Sequence, residues 1–164
     1  MLSAYKSHNN SLYNNLINLS RNIFFYKNTL LSDTFETRIN LIFFHLSLIM
    51  LGFKDKKIEF PQQIFDNIFQ NVEYHFRELG YGDVSVNKQM KNLIRIYYDI
   101  LLKIKQPESS SFSLNIDLLS KYFELKNKDM HLTNKLADYF NKFYDFCFEL
   151  NEDIVLKGRI NFKY

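Results

Sequence analysis

Turn-forming residues are scarce in this chain, with only four Gly and two Pro among 164 residues. A sheet-rich fold needs a tight turn at nearly every strand end, and Gly and Pro supply most of them. So small a supply points to long helices joined by few loops. The expected fold is all-α, a single domain over residues 1–164 with about six helices. Apolar residues make up 46% and charged residues 24%, close to globular averages, so most of the chain should bury a core.

The periodicity places the helices. Leu12, Leu16, Leu19, Ile23 and Phe24 form an apolar stripe, predicting a first helix over 11–27. A second helix follows Ser32 and Asp33, with Asp33 as cap and Glu36 completing a capping box. Its body, from Ile39 to Leu51, is apolar nearly all round, so it should be central, with Gly52 as its stop. Residues 39–53 are interrupted by Asn40, His45 and Ser47 and fall short of the ~20 apolar residues of a membrane span. The third helix starts at Pro61 and buries Phe65, Ile68, Phe69, Val72, Phe76 and Leu79. Gly80 and Gly82 end it, and Asp83 or Ser85 caps a fourth helix running to about Lys105. That helix carries the apolar set Val86, Met90, Leu93, Ile94, Tyr97, Tyr98, Leu101 and Ile104. Residues 106–113, with Pro107 and three serines, form the best candidate for a mobile loop. The N-terminal helices thus occupy 10–105, and two C-terminal helices (114–125 and 132–150) occupy 114–150. The tail, 151–164, lacks a helical period.

Chemistry-bearing residues are dispersed. His8, His45, His75 and His131 form no close ligand pair, and Cys147 has no second thiol, so neither metal nor cofactor is expected. A single Cys suits a reducing compartment, and residues 1–10 lack the apolar stretch of a signal peptide. His45 lies in the most apolar helix. It reads as a core histidine bonded to a neighbour, with Arg38, seven residues earlier, forming a shared edge that reaches a carboxylate elsewhere. Asp66 and Glu73 share a helix face and suit salt bridges. No serine sits in a nucleophile elbow, and the Gly80–Asp83 segment lacks the length and lysine of a phosphate loop. No enzyme class gains support.

Two features resemble contact surfaces. Lys88, Lys91 and Arg95 make a basic stripe on the fourth helix, which is either a solvated face or a docking site for ribosomal RNA or an anionic membrane. The last long helix carries two apolar stripes, Leu136/Phe140/Tyr144 and Tyr139/Phe143/Phe146/Leu150, so it is central or covered by a partner. A net charge of +3 is too small to imply DNA.

The run Arg77-Glu78-Leu79-Gly80-Tyr81-Gly82-Asp83, with Val86 and Lys88, resembles the signature of the ubiquinol–cytochrome c chaperone family, assembly factors for the cytochrome bc1 complex. Arg38 to Ile42 with His45, Phe65 to Phe69, and Gly158-Arg159 with Phe162 are similar to further family elements in the same order. Asn87, and Asp99 after Tyr98, depart from the family pattern. The resemblance implies a non-enzymatic chaperone that holds newly made cytochrome b, with a ribosome or small partner subunit as further partners. It implies structural roles for Arg38, His45, Gly80, Gly82, Val86 and Tyr98; its signature residues Arg77, Glu78, Tyr81, Asp83 and Lys88, together with the adjoining basic stripe of Lys88, Lys91 and Arg95, make the expected working surface. Without a targeting presequence, a bacterial protein is expected, in the cytoplasm and peripheral to the inner membrane; a eukaryotic one would sit in the mitochondrial matrix. The competing reading is a helical domain that binds RNA or anionic lipid through the basic stripe. An enzyme would require a deep polar pocket joining His45 to carboxylates.

Overall fold

The computed structural model describes residues 11–125 and 129–164, so His8 and the polar stretch 1–10 lie outside the described residues. The elements are α1 (Ser11–Ser20), α2 (Ile23–Lys27), α3 (Phe35–Asp55), α4 (Gln62–Glu78), α5 (Asp83–Lys103), α6 (Ile116–Tyr122), α7 (Met130–Glu149) and α8 (Glu152–Leu156). Among the described residues there is no strand; Lys105 and Leu114 form one isolated antiparallel bridge.

α3 is the axis of the molecule. It packs against α7, α1 and α5, and every residue from Ile39 to Ile49 is buried. By length and hydropathy α3 could cross a membrane, but 67% of its most apolar window is buried within the protein, as in a core helix. Aromatic rings fill the α3–α7 seam: Phe44 lies 5.2 Å from Phe140 and His45 4.7 Å from Phe143, centroid to centroid. Both apolar stripes of α7 are covered internally, with Leu136, Tyr139, Phe140 and Phe143 fully enclosed. Edge-on and offset ring pairs of this kind add to the burial of apolar area.

Several boundaries differ from expectation. The first predicted helix breaks in two because Asn22 adopts an extended conformation and its side chain accepts from Phe24 N at 3.0 Å. Asn115, Asp129 and Asn151 cap α6, α7 and α8 in the same way, so the abundant Asn residues serve as helix starts. α3 is capped by Thr34, whose hydroxyl accepts from Thr37 N at 3.1 Å, while Asp33 instead pairs with Arg38. Gly52 does not stop α3. It is buried inside the helix facing the Tyr144 ring, and the helix ends three residues later. Pro61 and Gly82, not a first-turn proline and Asp83 or Ser85, occupy the cap positions of α4 and α5. The loop 106–113 is clasped at its base by Gln106 N to Ser113 O (2.7 Å) and Asn115 N to Ile104 O (2.8 Å).

The tail, expected to be irregular, holds α8 and then straps onto α1. Asn15 brackets Ile160, donating to its carbonyl at 3.1 Å and accepting from its amide at 2.9 Å. Gly158 has φ +68°, and a Cβ placed there would lie 2.1 Å from the Ser11 carbonyl oxygen. Only glycine allows the two backbones to come this close. Phe162 and Tyr164 continue over Tyr139 at 5.3 and 5.4 Å.

Candidate functional site: the α4–α5 corner

α4 buries Ile68, Phe69, Val72 and Phe76, and α5 buries Val86, Leu93, Tyr97 and Ile100, so the two helices meet through apolar faces and leave their connecting turn outside. Gly80 makes that turn with φ +92° and open space where a side chain would stand. Gly82 is ordinary extended backbone, φ −75°, so it does not need glycine for its angle. Arg77 braces the corner, donating to Asp83 across the turn and to Glu73 at 3.3 Å within α4. Asp66, in contrast, accepts from Gln62 at 2.8 Å and has no ion pair among the described residues.

Arg77, Glu78, Tyr81 and Asp83 therefore come together at one exposed corner, and Val86 anchors it from below, fully buried. Tyr81 is 42% exposed and rests edge-on against Phe76 at 5.4 Å. It stands at the mouth of a groove of about 290 Å³ between the start of α3, the end of α4 and the first half of α5. Phe35, Ile39, Phe76, Leu93 and Ile96 give the groove an apolar floor, and Glu36, Gln89 and Asn92 edge it. On the far side of Phe35 lies a second hollow of about 280 Å³, where Arg38 is already held bidentate by Asp33 at 2.7 and 2.9 Å.

Lys88, Lys91 and Arg95 run away from the corner along the outer face of α5, all exposed; Arg95 donates to Asn92 at 2.7 Å. Ile94 and Tyr98, placed by periodicity with the core set, instead turn outward, 40% and 46% exposed. Asp99, a departure from the family pattern, ties α5 to α6: it accepts from Lys103 (2.5 Å), Lys121 (2.7 Å) and the Tyr122 hydroxyl.

His45 and Arg38 do not share an edge. Arg38 is at the surface, whereas His45 is enclosed by Phe25, Tyr139, Phe140 and Phe143. Its Nδ1 donates to the Leu41 carbonyl at 2.6 Å, which leaves Nε2 to accept the Tyr139 hydroxyl at 2.8 Å. Burial holds His45 neutral, with its pKa lowered to about 4. Both ring nitrogens are thereby taken, and His45 reaches no carboxylate among the described residues. Cys147 is buried and its thiol is pushed up by desolvation, away from reactivity. Among the described residues no cluster of His, Cys, Asp or Glu could hold a metal ion.

The groove escaped sequence reasoning because Ile39, Phe76 and Leu93 read as ordinary core, while Phe35 and Ile96 fell outside the apolar stripes altogether. The signal available was Tyr81, an aromatic set between two glycines at a turn.

The chain matches the ubiquinol–cytochrome c chaperone family over residues 28–159, which takes in α3 through α8 and the corner. This chain belongs to that family. Its fold is also that of the crystal structure of the Cbp3 homolog from Brucella abortus, with a TM-score of 0.67 and 22% identity over 94% of this chain and 87% of that one. Among curated proteins none matches.

Proposed function

We infer that the protein is a non-enzymatic chaperone in assembly of the cytochrome bc1 complex, and that it holds newly made cytochrome b at the α4–α5 corner. Family membership supports the role. The observation that carries the location is the apolar groove opening beside Tyr81, within the stretch where the signature residues lie. A groove of this size takes one or two large apolar side chains of an unassembled client. Arg77, Glu78 and Asp83, clustered with Tyr81 at the corner beside it, supply polar contacts that give register. Such a chaperone acts beside the membrane that receives its client, on the cytoplasmic face in a bacterium.

The test is capture of cytochrome b segments from detergent by the protein and by Tyr81→Ser and Ile96→Glu, each variant checked for an unchanged melting temperature. Capture by the parent and loss in both variants supports the reading. Equal capture by all three removes the groove from the client site. A ribosome contact through Lys88, Lys91 and Arg95 is the second reading, favoured by the exposure of all three cations; it predicts salt-sensitive binding to ribosomes.

A further inference from the structure

Val84 and Leu102 are the two most exposed large apolar side chains among the described residues, at 86% and 81%. They lie at the two ends of one line on α5: Val84, Lys88, Lys91, Arg95, Tyr98, Leu102. Successive members are four, three, four, three and four residues apart, the spacing that keeps side chains on one helix face. The face is directly opposite the buried set Val86, Leu93, Tyr97 and Ile100, and it spans roughly 27 Å at 1.5 Å per residue. Its charge has one sign. Lys88 and Lys91 have no ion pair among the described residues, and the two acids of the helix that flank the line are engaged, Asp83 by Arg77 and Asp99 by Lys103 and Lys121.

We propose that this outer face of α5 docks the protein flat on an anionic lipid bilayer. Three cations in the middle meet lipid phosphates, Tyr98 sits at headgroup depth, and Val84 and Leu102 enter the acyl boundary. Ribosomal RNA would complement the three cations equally well, but it would leave Val84 and Leu102 in water. The pairing of unpaired cations with the two most exposed apolar side chains on one face is what selects lipid. The groove beside Tyr81 opens on an adjacent face of α5, so a docked molecule keeps its client site beside the bilayer; this last point rests on the proposed function, whereas the docking itself does not.

The test is co-sedimentation of the full chain with vesicles of phosphatidylcholine alone, or with about one-third phosphatidylglycerol, at about 50 and about 500 mM salt. Binding is expected only to the anionic vesicles and is expected to fall steeply at high salt. Each cation near the surface is worth about fivefold in partitioning, so Lys88→Glu with Lys91→Glu and Arg95→Glu should lower it by about a hundredfold or more. Val84→Ser with Leu102→Ser, which keeps every charge, should lower it by about tenfold. Ile96→Glu, in the groove, should sediment as the parent does, which separates docking from client capture. Failure of the parent to bind anionic vesicles overturns the proposal, as does full binding by either surface variant. Ribosome binding that is indifferent to Val84→Ser with Leu102→Ser, without vesicle binding, assigns the face to RNA.

Discussion

His45 Nε2 accepts the Tyr139 hydroxyl at 2.8 Å inside a shell of phenyl rings, and this bond needs a neutral imidazole. A charged ring would present two N–H donors and leave the phenol hydrogen facing one of them. With the pKa lowered from 6.5 to about 4 by burial, the unfolded chain binds the proton first. Stability should therefore hold above about pH 6.5 and decline as the pH falls toward 4, by about 3 kcal/mol from this group. Denaturant titrations at pH 7, 6, 5 and 4 measure it. The double variant His45→Leu with Tyr139→Phe should show a flatter decline, and an unchanged slope would assign the acid sensitivity to other groups.

The glycines should rank in a definite order. Gly158→Ala meets the Ser11 carbonyl at 2.1 Å in addition to an unfavourable φ, and should destabilise by at least about 2 kcal/mol. Gly80→Ala faces only the cost of its φ of +92°, about 1 kcal/mol. Gly82→Ser has an ordinary angle, open space and a side chain suited to the cap position, and should stay within about 0.5 kcal/mol. Equal losses at Gly80 and Gly82 in urea unfolding would contradict the geometry.

Asn15→Leu keeps the bulk but removes both bonds to Ile160, whose side chain is 4% exposed. A loss of about 1–3 kcal/mol is expected, because the Ile160 amide and carbonyl are left without their partner. Amide hydrogen exchange should show faster exchange along both α1 and residues 158–162; protection lost at only one of them would mean the two are not coupled.

Asp99→Ala should cost about 1 kcal/mol, since three donors from two helices converge on a partly exposed carboxylate. Lys103, Lys121 and Tyr122 hold Asp99 well below the usual carboxylate range. Its contribution is therefore present above the ordinary pKa of 3.8 and is lost as the pH falls below it. A difference between parent and variant that is full at pH 5 and narrows progressively as the pH falls below 3.8 would show this.

The long helices were legible because their apolar residues repeat over many turns. α3, apolar on all sides, has no alternative to the centre, and the seam from Phe65 to Phe76 fixes α4. Caps were less legible. Asp33 and Thr34 are both good capping residues, and Arg38, by claiming Asp33, leaves the role to Thr34. Gly52 reads as a stop until Tyr144 of a distant helix is seen to pack against it. α8 is five residues long, too short for a period to show. The corner was marked by Gly80, Tyr81 and Asp83, but its groove was not, because three separate helices build it. Val84 and Leu102 were visible only as apolar residues outside the buried stripe of α5.

The contact between Gly158 and Ser11 sets an order of events. A chain made from its N-terminus presents α1 first, yet the backbone that α1 packs against arrives almost 150 residues later. The first helix can find α3 early, but its seat stays open on one side until residues 158–162 have left the ribosome. Completion of the fold is thereby tied to synthesis of residues 158–162, and shortened chains ending before residue 158 should reach proteases with α1 still loose.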